Sequence, residues 1–554
     1  MRPVLEHLAV LPIVVPLVAG ALMLLLREGR HAARLTIAFA SLLVQLGAAL
    51  VLLLTTSDAV PNVWPEGIAV YAIGGWPPPF DIVLVVDRLS ALMLALTATV
   101  GLTTILYSTA HWDRPGQPFH PLSQFLLVGL NGAFLTGDLF NLFVFFEILL
   151  AASYGLLLRG VGPRRVRKTL HYIAVNLVAS YLFLIGVALI YGTLGTLNMA
   201  DLLGRAAALG PSDRALFHAG AALLGVAFLV KAASWPLNFW LPGSYSAALP
   251  PVSAGFALMT KVGIYAVLRI GTLMGEDQAA AAILGPILFY LGLATLAAGT
   301  IGMLATQHLR RLVSYSVIVS SGLLLAALGL GNQALTAPVL FYLVTSVLTT
   351  AAFFMLTGMT DRTRIAAEQA EVRRPAAALR RRLPPYLGFG VREPRPYETG
   401  EEVGVAIPAA TAFLGLMFVC CVLLVAGLPP LPSFVAKLAL LSRVLGGTAG
   451  VAVTTEGWAL VAAIIATGFA GLVALTRIGI RLFWTGERRT PRLRVLEAAP
   501  LALVVALCLG LGIAAGPAMS FFEQTARLLH EPEIYVRAVL AQPISGLKSS
   551  EAEP

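Results

Sequence analysis

The chain has 554 residues, of which 58% are hydrophobic and 12% charged, and its mean hydropathy is +0.85. This composition excludes a soluble globular protein, in which about a quarter of the residues are charged. The net charge of +10 does not indicate nucleic-acid binding, because no basic stretch interleaved with aromatic residues has the pattern of a nucleic-acid groove. Basic loops are expected on the cytoplasmic side of a membrane protein. We therefore expect the chain to lie in a lipid bilayer and to bind no nucleic acid.

The sequence has no pattern typical of a metal, cofactor or catalytic site. Its three cysteines, Cys420, Cys421 and Cys508, lie inside apolar runs and lack the spacing of metal ligands or of a disulfide framework. A Gly-rich phosphate loop and a Ser/His/Asp set are not found either. We predict that the chain binds no metal and no cofactor and is not an enzyme.

Apolar runs of about 18 to 25 residues recur along the whole chain, and each is long enough to cross a bilayer. We predict an all-α polytopic membrane protein with about 14 spans. The first run is read as a span and not as a signal peptide, because its basic residues follow the apolar stretch. The predicted spans cover residues 8–26, 33–56, 82–108, 121–137, 139–158, 172–192, 215–240, 248–274, 280–303, 312–330, 335–358, 405–445 (interrupted), 457–483 and 497–516.

The distribution of Lys and Arg predicts the orientation of the spans. Basic residues follow spans 1, 5, 9, 11 and 13, whereas the alternate loops carry few, and the loop 58–79 has none. Because basic loops stay in the cytoplasm, we predict that odd-numbered spans end there and that both termini lie outside. The long polar segment 361–402 is predicted to be a cytoplasmic loop with an amphipathic helix in its first half.

Three of the five lysines, Lys231, Lys261 and Lys437, fall inside apolar runs. A charged side chain in lipid costs several kcal/mol, so each is expected to face a partner or water. Lysine can release a proton when buried, whereas arginine cannot in practice be deprotonated. These lysines are therefore candidates for proton translocation, and snorkelling toward the membrane surface is the structural alternative.

One carboxylate, Glu147, also lies within a span. It follows Asp138 by nine residues, which places it about 13 Å deeper if the segment is helical. We expect Glu147 to be ionised only if a cation such as Lys231 accompanies it. Asp138 lies nearer the membrane boundary, where we expect it to cap the following helix.

Proline clusters interrupt two of these spans. Pro236 and Pro242 follow Lys231, and a second cluster, Pro429, Pro430 and Pro432, precedes Lys437. Broken membrane helices are tolerated where they line a hydrated cavity, and paired breaks indicate a transporter with inverted repeats. Spans 4–8 and 9–13 would be the two halves. Plain kinks that serve packing are the alternative.

The histidines give a weaker signal. His218 and His171 begin apolar runs, and either is a possible proton relay or an interfacial residue. His308 is expected in a cytoplasmic loop, where it is a possible proton entry point.

Four segments together resemble one family. They are TGDLFNLFVFFEILLAASYGLLL, LHYIAVNLVASYLFLIGVALIYGTLGTLNMADL, LPGSYSAALPPVSAGFALMTKVGIYAVLRI and VAGLPPLPSFVAKLALL. They are similar to the D subunits of the Mrp-type (Pha, Sha) multisubunit Na⁺(K⁺)/H⁺ antiporters, over nearly the whole chain. The first segment is the most specific, because it distinguishes these D subunits from the related proton-pumping subunits of respiratory complex I.

The resemblance implies 14 helices in two inverted five-helix repeats, with broken seventh and twelfth helices. It implies that Glu147 and Lys231 form a charged pair, followed by Lys261 and then Lys437. The implied regions are 1–118 (helices 1–3), 119–275 (first repeat), 276–484 (second repeat, with loop 361–402) and 485–554 (helix 14 and the C-terminal tail). The implied partners are the other subunits of an Mrp-type complex.

The eleventh span departs from the family pattern. Relatives often carry a His and a Lys there, but this chain has Thr345 and Thr350 at the corresponding positions. Thr345, Ser346, Thr349 and Thr350 can hold water and pass protons, yet none of them titrates. The proton route in the second half is therefore expected to differ from that of the relatives.

Three functions are consistent with the sequence. The first is a proton-translocating subunit of a Na⁺ or K⁺/H⁺ antiporter in the bacterial cytoplasmic (inner) membrane. The alternative is a proton-pumping membrane subunit of a complex I-like or hydrogenase-type redox complex, which would carry the same charges. The third is a scaffold subunit that conducts nothing. The identity of the copurifying subunits distinguishes the first two.

Overall fold

The computed structural model of the chain describes residues 7–27, 29–57, 60, 63–76, 79–110, 112, 118–159, 162–274, 278–381, 409–446, 453–483 and 493–541. These residues are almost entirely helical, because their long apolar stretches satisfy backbone hydrogen bonds within each helix, as the bilayer requires. The first part of the chain contains α1 (Leu11–Leu25), α2 (His31–Thr56) and α3 (Arg88–Ser108).

A short antiparallel hairpin precedes α3 and was not predicted from the sequence. Its strands are β1 (Ala69–Ala72) and β2 (Val83–Val86), with Ala69 opposite Val86. Asp87 then caps α3, accepting a hydrogen bond from the Ser90 backbone N–H while the Ser90 hydroxyl accepts one from the Asp87 N–H. The alternating pattern of a four-residue strand is too short to stand out beside long apolar runs.

The next part carries the first predicted repeat. Its helices are α4 (Phe119–Leu135), α5 (Leu139–Leu157), α6 (Pro163–Leu194), α7 (Met199–Ala207), α8 (Pro211–Lys231), α9 (Trp240–Ala247), α10 (Pro250–Gly255) and α11 (Met259–Leu273). A 3₁₀ turn, Phe256–Leu258, joins α10 to α11. The eighth predicted span is therefore not one uniform helix, and Lys261 lies in the first turn of α11 instead of mid-helix.

The remaining helices form the second predicted repeat and the C-terminal part. They are α12 (Gln278–Ala305), α13 (Leu309–Gly329), α14 (Thr336–Arg381), α15 (Ala409–Ala426), α16 (Pro432–Leu445), α17 (Thr455–Phe483), α18 (Val495–Ile513), α19 (Ala515–Leu529) and α20 (Pro532–Leu540). Helix α14 lies at the centre of the fold and packs against α13, α15, α16 and α18.

The predicted fold class is confirmed. Twelve helices in the described part of the chain are long and apolar enough to cross a membrane. Helix α1 coincides with the first predicted span but is shorter, and α4 has the length of the fourth predicted span but begins two residues earlier. The count of 14 spans, the two repeats and the four regional boundaries stay predictions. The structure interrupts the seventh predicted span between α8 and α9, and the twelfth between α15 and α16.

Helix α14 continues beyond its predicted span as a helix of 46 residues ending at Arg381. The sequence after the span is rich in Ala, Glu and Arg, which are good helix formers, and the membrane helix continues into it through Pro375. The first half of segment 361–402 is thus helical as expected, but it is continuous with the span. Residues 382–408 lie outside the described residues.

The predicted C-terminal tail contains two helices, α19 and α20, which were not predicted from the sequence. Phe522 of α19 stacks on Phe341 of α14 with 5.3 Å between ring centroids. Helix α19 also receives a hydrogen bond from Arg88 to Gln524 and an ion pair from Arg443 to Glu523. Both helices are too short to form spans; α19 packs against α14, and α20 packs against the short helix α7 and strand β1.

A buried ion pair lies beneath α20. Arg269 of α11 donates two parallel hydrogen bonds to the Asp87 carboxylate, at 2.6 and 2.8 Å. The guanidinium also lies 5.4 Å from the ring centre of Tyr535, which closes the pair from solvent. Bidentate pairing of this kind fixes geometry as well as charge. It holds the start of α3 against the end of α11.

Candidate functional site

Glu147 and Lys231 both interact with helix α6, on neighbouring turns of one face. The Ser180 hydroxyl donates a hydrogen bond to Glu147 Oε1, and Lys231 Nζ donates to Asn176 Oδ1 at 3.4 Å. Asn176 and Ser180 are four residues apart, so their side chains lie one above the other. Glu147 is half-buried, whereas Lys231 is 7% exposed.

The Glu147 carboxylate and the Lys231 ammonium, both within the described residues, do not form a direct ion pair. Each group is instead hydrogen-bonded to its own partner on α6, Glu147 to Ser180 and Lys231 to Asn176. Neither residue was predicted from the sequence. Their signal was available, because two polar side chains at i and i+4 within the apolar sixth span point to one buried polar face.

The polar face of α6 extends one turn further, toward the basic start of that helix. Tyr172 is fully buried, and its hydroxyl lies 2.9 Å from the Ser153 hydroxyl of α5. Its carbonyl accepts a hydrogen bond from Asn176 Nδ2. Tyr172, Asn176 and Ser180 thus form a row about 12 Å long at 1.5 Å per residue. The row leads to Glu147 and Lys231.

The break after Lys231 is anchored to the second half of the chain. Thr295 of α12 accepts a hydrogen bond from the Trp235 backbone N–H at 2.8 Å, and its hydroxyl lies 3.2 Å from that of Ser234. Helix α11 approaches the same break from the other side. A Cβ added at Gly263 would lie 2.6 Å from the Ala232 nitrogen, so only glycine permits this contact.

The side chain of Lys261, in the first half of the chain, contacts a helix of the second half. It is 1% exposed, and its Nζ donates to the Ser320 hydroxyl of α13 at 2.6 Å. The adjacent Thr260 hydroxyl is buried and has no hydrogen-bond partner among the described residues. Buried hydroxyls normally have a hydrogen-bond partner. An ordered water next to Thr260 would supply the missing one.

Lys437 is held by backbone carbonyls. Its Nζ donates to the Val425 and Ala426 oxygens at 3.1 and 3.0 Å, which lie at the end of α15. Gly427 has a φ of 76°, in the left-handed region that favours glycine. A Cβ there would lie 2.5 Å from Lys437 Cδ, so the glycine also makes room for the lysine side chain.

The threonines of α14 are buried in the membrane part of the fold, at 0–5% exposure. Thr345 and Thr349 donate to carbonyls of their own helix, as does Ser346. Within the described residues, no hydrogen bond runs from these side chains to Ser320 or Lys437. Thr350 is equally buried. The described part of α14 therefore carries a row of buried hydroxyls but no direct chain of hydrogen bonds to the lysines.

The other candidate residues lie apart from this cluster. Asp138 caps α5 by accepting the Asn141 backbone N–H at 2.8 Å, as its position predicted. His218 and His308 are both exposed, and His308 is the N-cap residue of α13. His171 is exposed too, with its ring 5.3 Å from that of Phe239. The geometry does not bring these histidines to the buried lysines.

Comparison with known proteins places this geometry in a family. Residues 136–377 match the model described as "NADH:quinone oxidoreductase/Mrp antiporter, TM". The chain is 48% identical to the D subunit of a probable K⁺/H⁺ antiporter of Rhizobium meliloti, over 98% of this chain and 99% of that protein. The chain belongs to the family of antiporter D subunits. The resemblance predicted from the sequence is confirmed.

Two further relatives agree. The D subunit of a Na⁺/H⁺ antiporter of Alkalihalophilus pseudofirmus is 32% identical over 97% of this chain and 100% of that protein. A chain in the structure of the Mrp complex from Dietzia sp. is similar to this one with a TM-score of 0.78. The two are 26% identical, and the match covers 97% of this chain and 99% of that one.

Proposed function

We propose that this chain translocates protons within a multisubunit antiporter that exchanges a monovalent cation, Na⁺ or K⁺, for H⁺. The complex would lie in the bacterial cytoplasmic membrane, with the termini of this chain outside and the other Mrp-type subunits as its partners. The observation that carries the proposal is the set of three buried lysines and one half-buried carboxylate within the membrane helices. Ion-translocating membrane proteins use intramembrane ionisable groups of this kind.

The first step in this mechanism belongs to Glu147 and Lys231. When Glu147 is ionised, its negative charge favours the ammonium form of Lys231. A proton arriving at Glu147 removes that charge, and Lys231 then releases its own proton. Asn176 and Ser180 keep the two groups at a fixed separation, so that they interact through their fields without locking into an ion pair.

The released proton passes to Lys261 and from there toward Lys437. Lys261 contacts Ser320 in the second half of the chain. Protonation of Lys261 therefore carries the proton from the first half of the chain to the second. Beyond it, water molecules held by Thr345, Thr349 and Thr350 carry the proton along α14. His218 and His308 are left out of this route, because both are exposed.

The test compares transport by membrane vesicles that contain the complete complex. Addition of Na⁺ or K⁺ should dissipate a preformed pH gradient in vesicles with the wild-type chain, and Glu147→Gln should abolish this cation-dependent signal. Glu531→Gln, which neutralises an exposed carboxylate in the C-terminal part, is the matched control and should transport normally. Full cation-dependent activity of Glu147→Gln would exclude the proposed role of that carboxylate.

A further inference from the structure

Two adjacent carbonyls at the end of α15 cannot be satisfied by their own helix. In an α-helix the carbonyl of residue i accepts from the N–H of residue i+4. For Val425 and Ala426 these positions are Pro429 and Pro430, and proline has no N–H. The sequence thus leaves two oxygens without a helical donor, side by side at a break in the membrane part of the fold.

Lys437 supplies the missing donor to both oxygens, at 3.1 and 3.0 Å. Within the described residues it is the sole hydrogen-bond donor to them, and it forms no ion pair with a described carboxylate. Its positive charge is therefore balanced by carbonyl dipoles, including the negative end of the α15 helix dipole. Lys437 is 8% exposed, so bulk water contributes little to this balance.

We infer that the Val425 and Ala426 carbonyls form a binding site for a monovalent alkali cation, which the Lys437 ammonium occupies in this structure. An ammonium group and K⁺ carry the same charge, are similar in size and both bind neutral carbonyl oxygens. Carbonyls at the ends of broken membrane helices are suitable alkali-cation ligands in secondary transporters. The ammonium and the cation exclude one another at the two oxygens.

This site deepens the proposed function and rests on it. When the Nζ–H bond of Lys437 breaks, the proton leaves along the relay and the lysine becomes a neutral amine. One alkali cation then takes the position at the carbonyls, so the site carries one positive charge before and after the exchange. One proton therefore exchanges for one cation without a change in the net buried charge, and the carbonyl oxygens replace part of the hydration shell of the cation. Because the ammonium and the cation cannot both occupy the carbonyls, release of the proton and binding of the cation are coupled.

Lys261, another buried lysine of the membrane part, offers a comparison. Lys261 donates to the Ser320 hydroxyl, and that hydroxyl donates in turn to the Val317 carbonyl. Removing the Lys261 ammonium exposes no pair of unsatisfied carbonyls among the described residues. A variant at Lys261 therefore loses an intramembrane charge without opening a cation site, which makes it the matched control.

The experiment measures equilibrium binding of Rb⁺ to the purified complex at neutral pH, with N-methylglucamine as the background cation. Lys437→Met should bind Rb⁺ at least about tenfold more tightly than the wild type, because the competing ammonium is gone. Lys437→Arg retains a cationic occupant and should show no gain, and neither should Lys261→Met. Lys437→Leu repeats the test if the methionine variant does not assemble with its partner subunits.

The outcomes separate the two proposals. If Lys437→Met binds Rb⁺ no more tightly than the wild type, or if Lys261→Met gains as much, the cation site is wrong even when wild-type vesicles carry out antiport. If wild-type vesicles show no cation-dependent pH change, the proposed antiport is wrong. The gain in Rb⁺ affinity at Lys437 can still be observed in that case.

Discussion

Asn176 and Ser180 lie one turn apart on α6, and one contacts Lys231 while the other contacts Glu147. This arrangement predicts that both side chains position the titrating groups. Asn176→Leu and Ser180→Ala should each slow cation-dependent proton transport by about tenfold or more, because a hydrogen bond to a charged group contributes about 1.5–3 kcal/mol. The measurement is the initial rate of the cation-dependent pH change in vesicles.

Thr193→Val is the control for these two variants, because its hydroxyl lies on the same helix but bonds only to carbonyls of that helix. It should transport at the wild-type rate. A positioning role also predicts rescue, so Ser180→Thr should recover most of the activity lost in Ser180→Ala. Equal transport by Ser180→Ala and the wild type would contradict a positioning role for Ser180.

Gly427→Ala tests whether the position of Lys437 matters. The new methyl group would lie 2.5 Å from Lys437 Cδ, on a backbone whose φ of 76° disfavours alanine. The lysine must leave the carbonyls of α15, and transport should fall at least about tenfold as the two hydrogen bonds are lost. Gly415→Ala, within α15 and with nothing within 4 Å of the added Cβ, should be unaffected.

The Asp87–Arg269 pair should be important for stability. Removing one partner of a buried pair leaves an uncompensated charge and costs about 3–5 kcal/mol. Asp87→Asn should therefore lower the thermal unfolding temperature of the complex clearly, with a smaller effect for the exposed pair of Arg443 and Glu523. Unchanged thermal stability of Asp87→Asn would show that the pair does not hold α3 against α11.

His530 predicts a pH-dependent loosening of α19 and α20. Its Nε2 lies 2.8 Å from the Thr336 hydroxyl, and burial lowers the pKa of the imidazole below its usual value of 6.5. The neutral form therefore stabilises the folded helix pair above that pH, and the contribution is lost as the pH falls toward the lowered pKa. The protection factors of residues 515–540 in hydrogen exchange, which are corrected for the intrinsic pH dependence of exchange, should fall between pH 7 and about pH 5.

His530→Gln retains a hydrogen-bonding group and does not titrate, so it should remove this pH dependence. An equal fall in the protection factors of the C-terminal helices in His530→Gln would assign the effect to another group.

The sequence predicted the membrane spans and the buried lysines well, because apolar run length and intramembrane charge are local properties. Glu147, Lys231, Lys261 and Lys437 were all identified in this way, and both interrupted helices follow from proline chemistry. Tertiary partners were not accessible by the same reasoning. Asn176 contacts Lys231 across 55 residues, and Arg269 contacts Asp87 across 182. Such distances in sequence leave no periodic signal.

Two further misses have local causes. The hairpin before α3 consists of four-residue strands, which apolar flanking sequence hides. Helices α19 and α20 are amphipathic and shorter than a span, so a search by span length passes over them. In both cases the element is stabilised by packing against the membrane helices and not by its own propensity.

In the proposed mechanism, Lys231 acts by gaining and losing a proton and not as a fixed positive charge. Lys231→Arg tests it most directly, because arginine keeps the charge but does not release its proton at accessible pH. We expect vesicles containing an assembled Lys231→Arg complex to lose the cation-dependent pH change. Wild-type transport by this variant would contradict the proposed mechanism and would make Lys231 a structural cation.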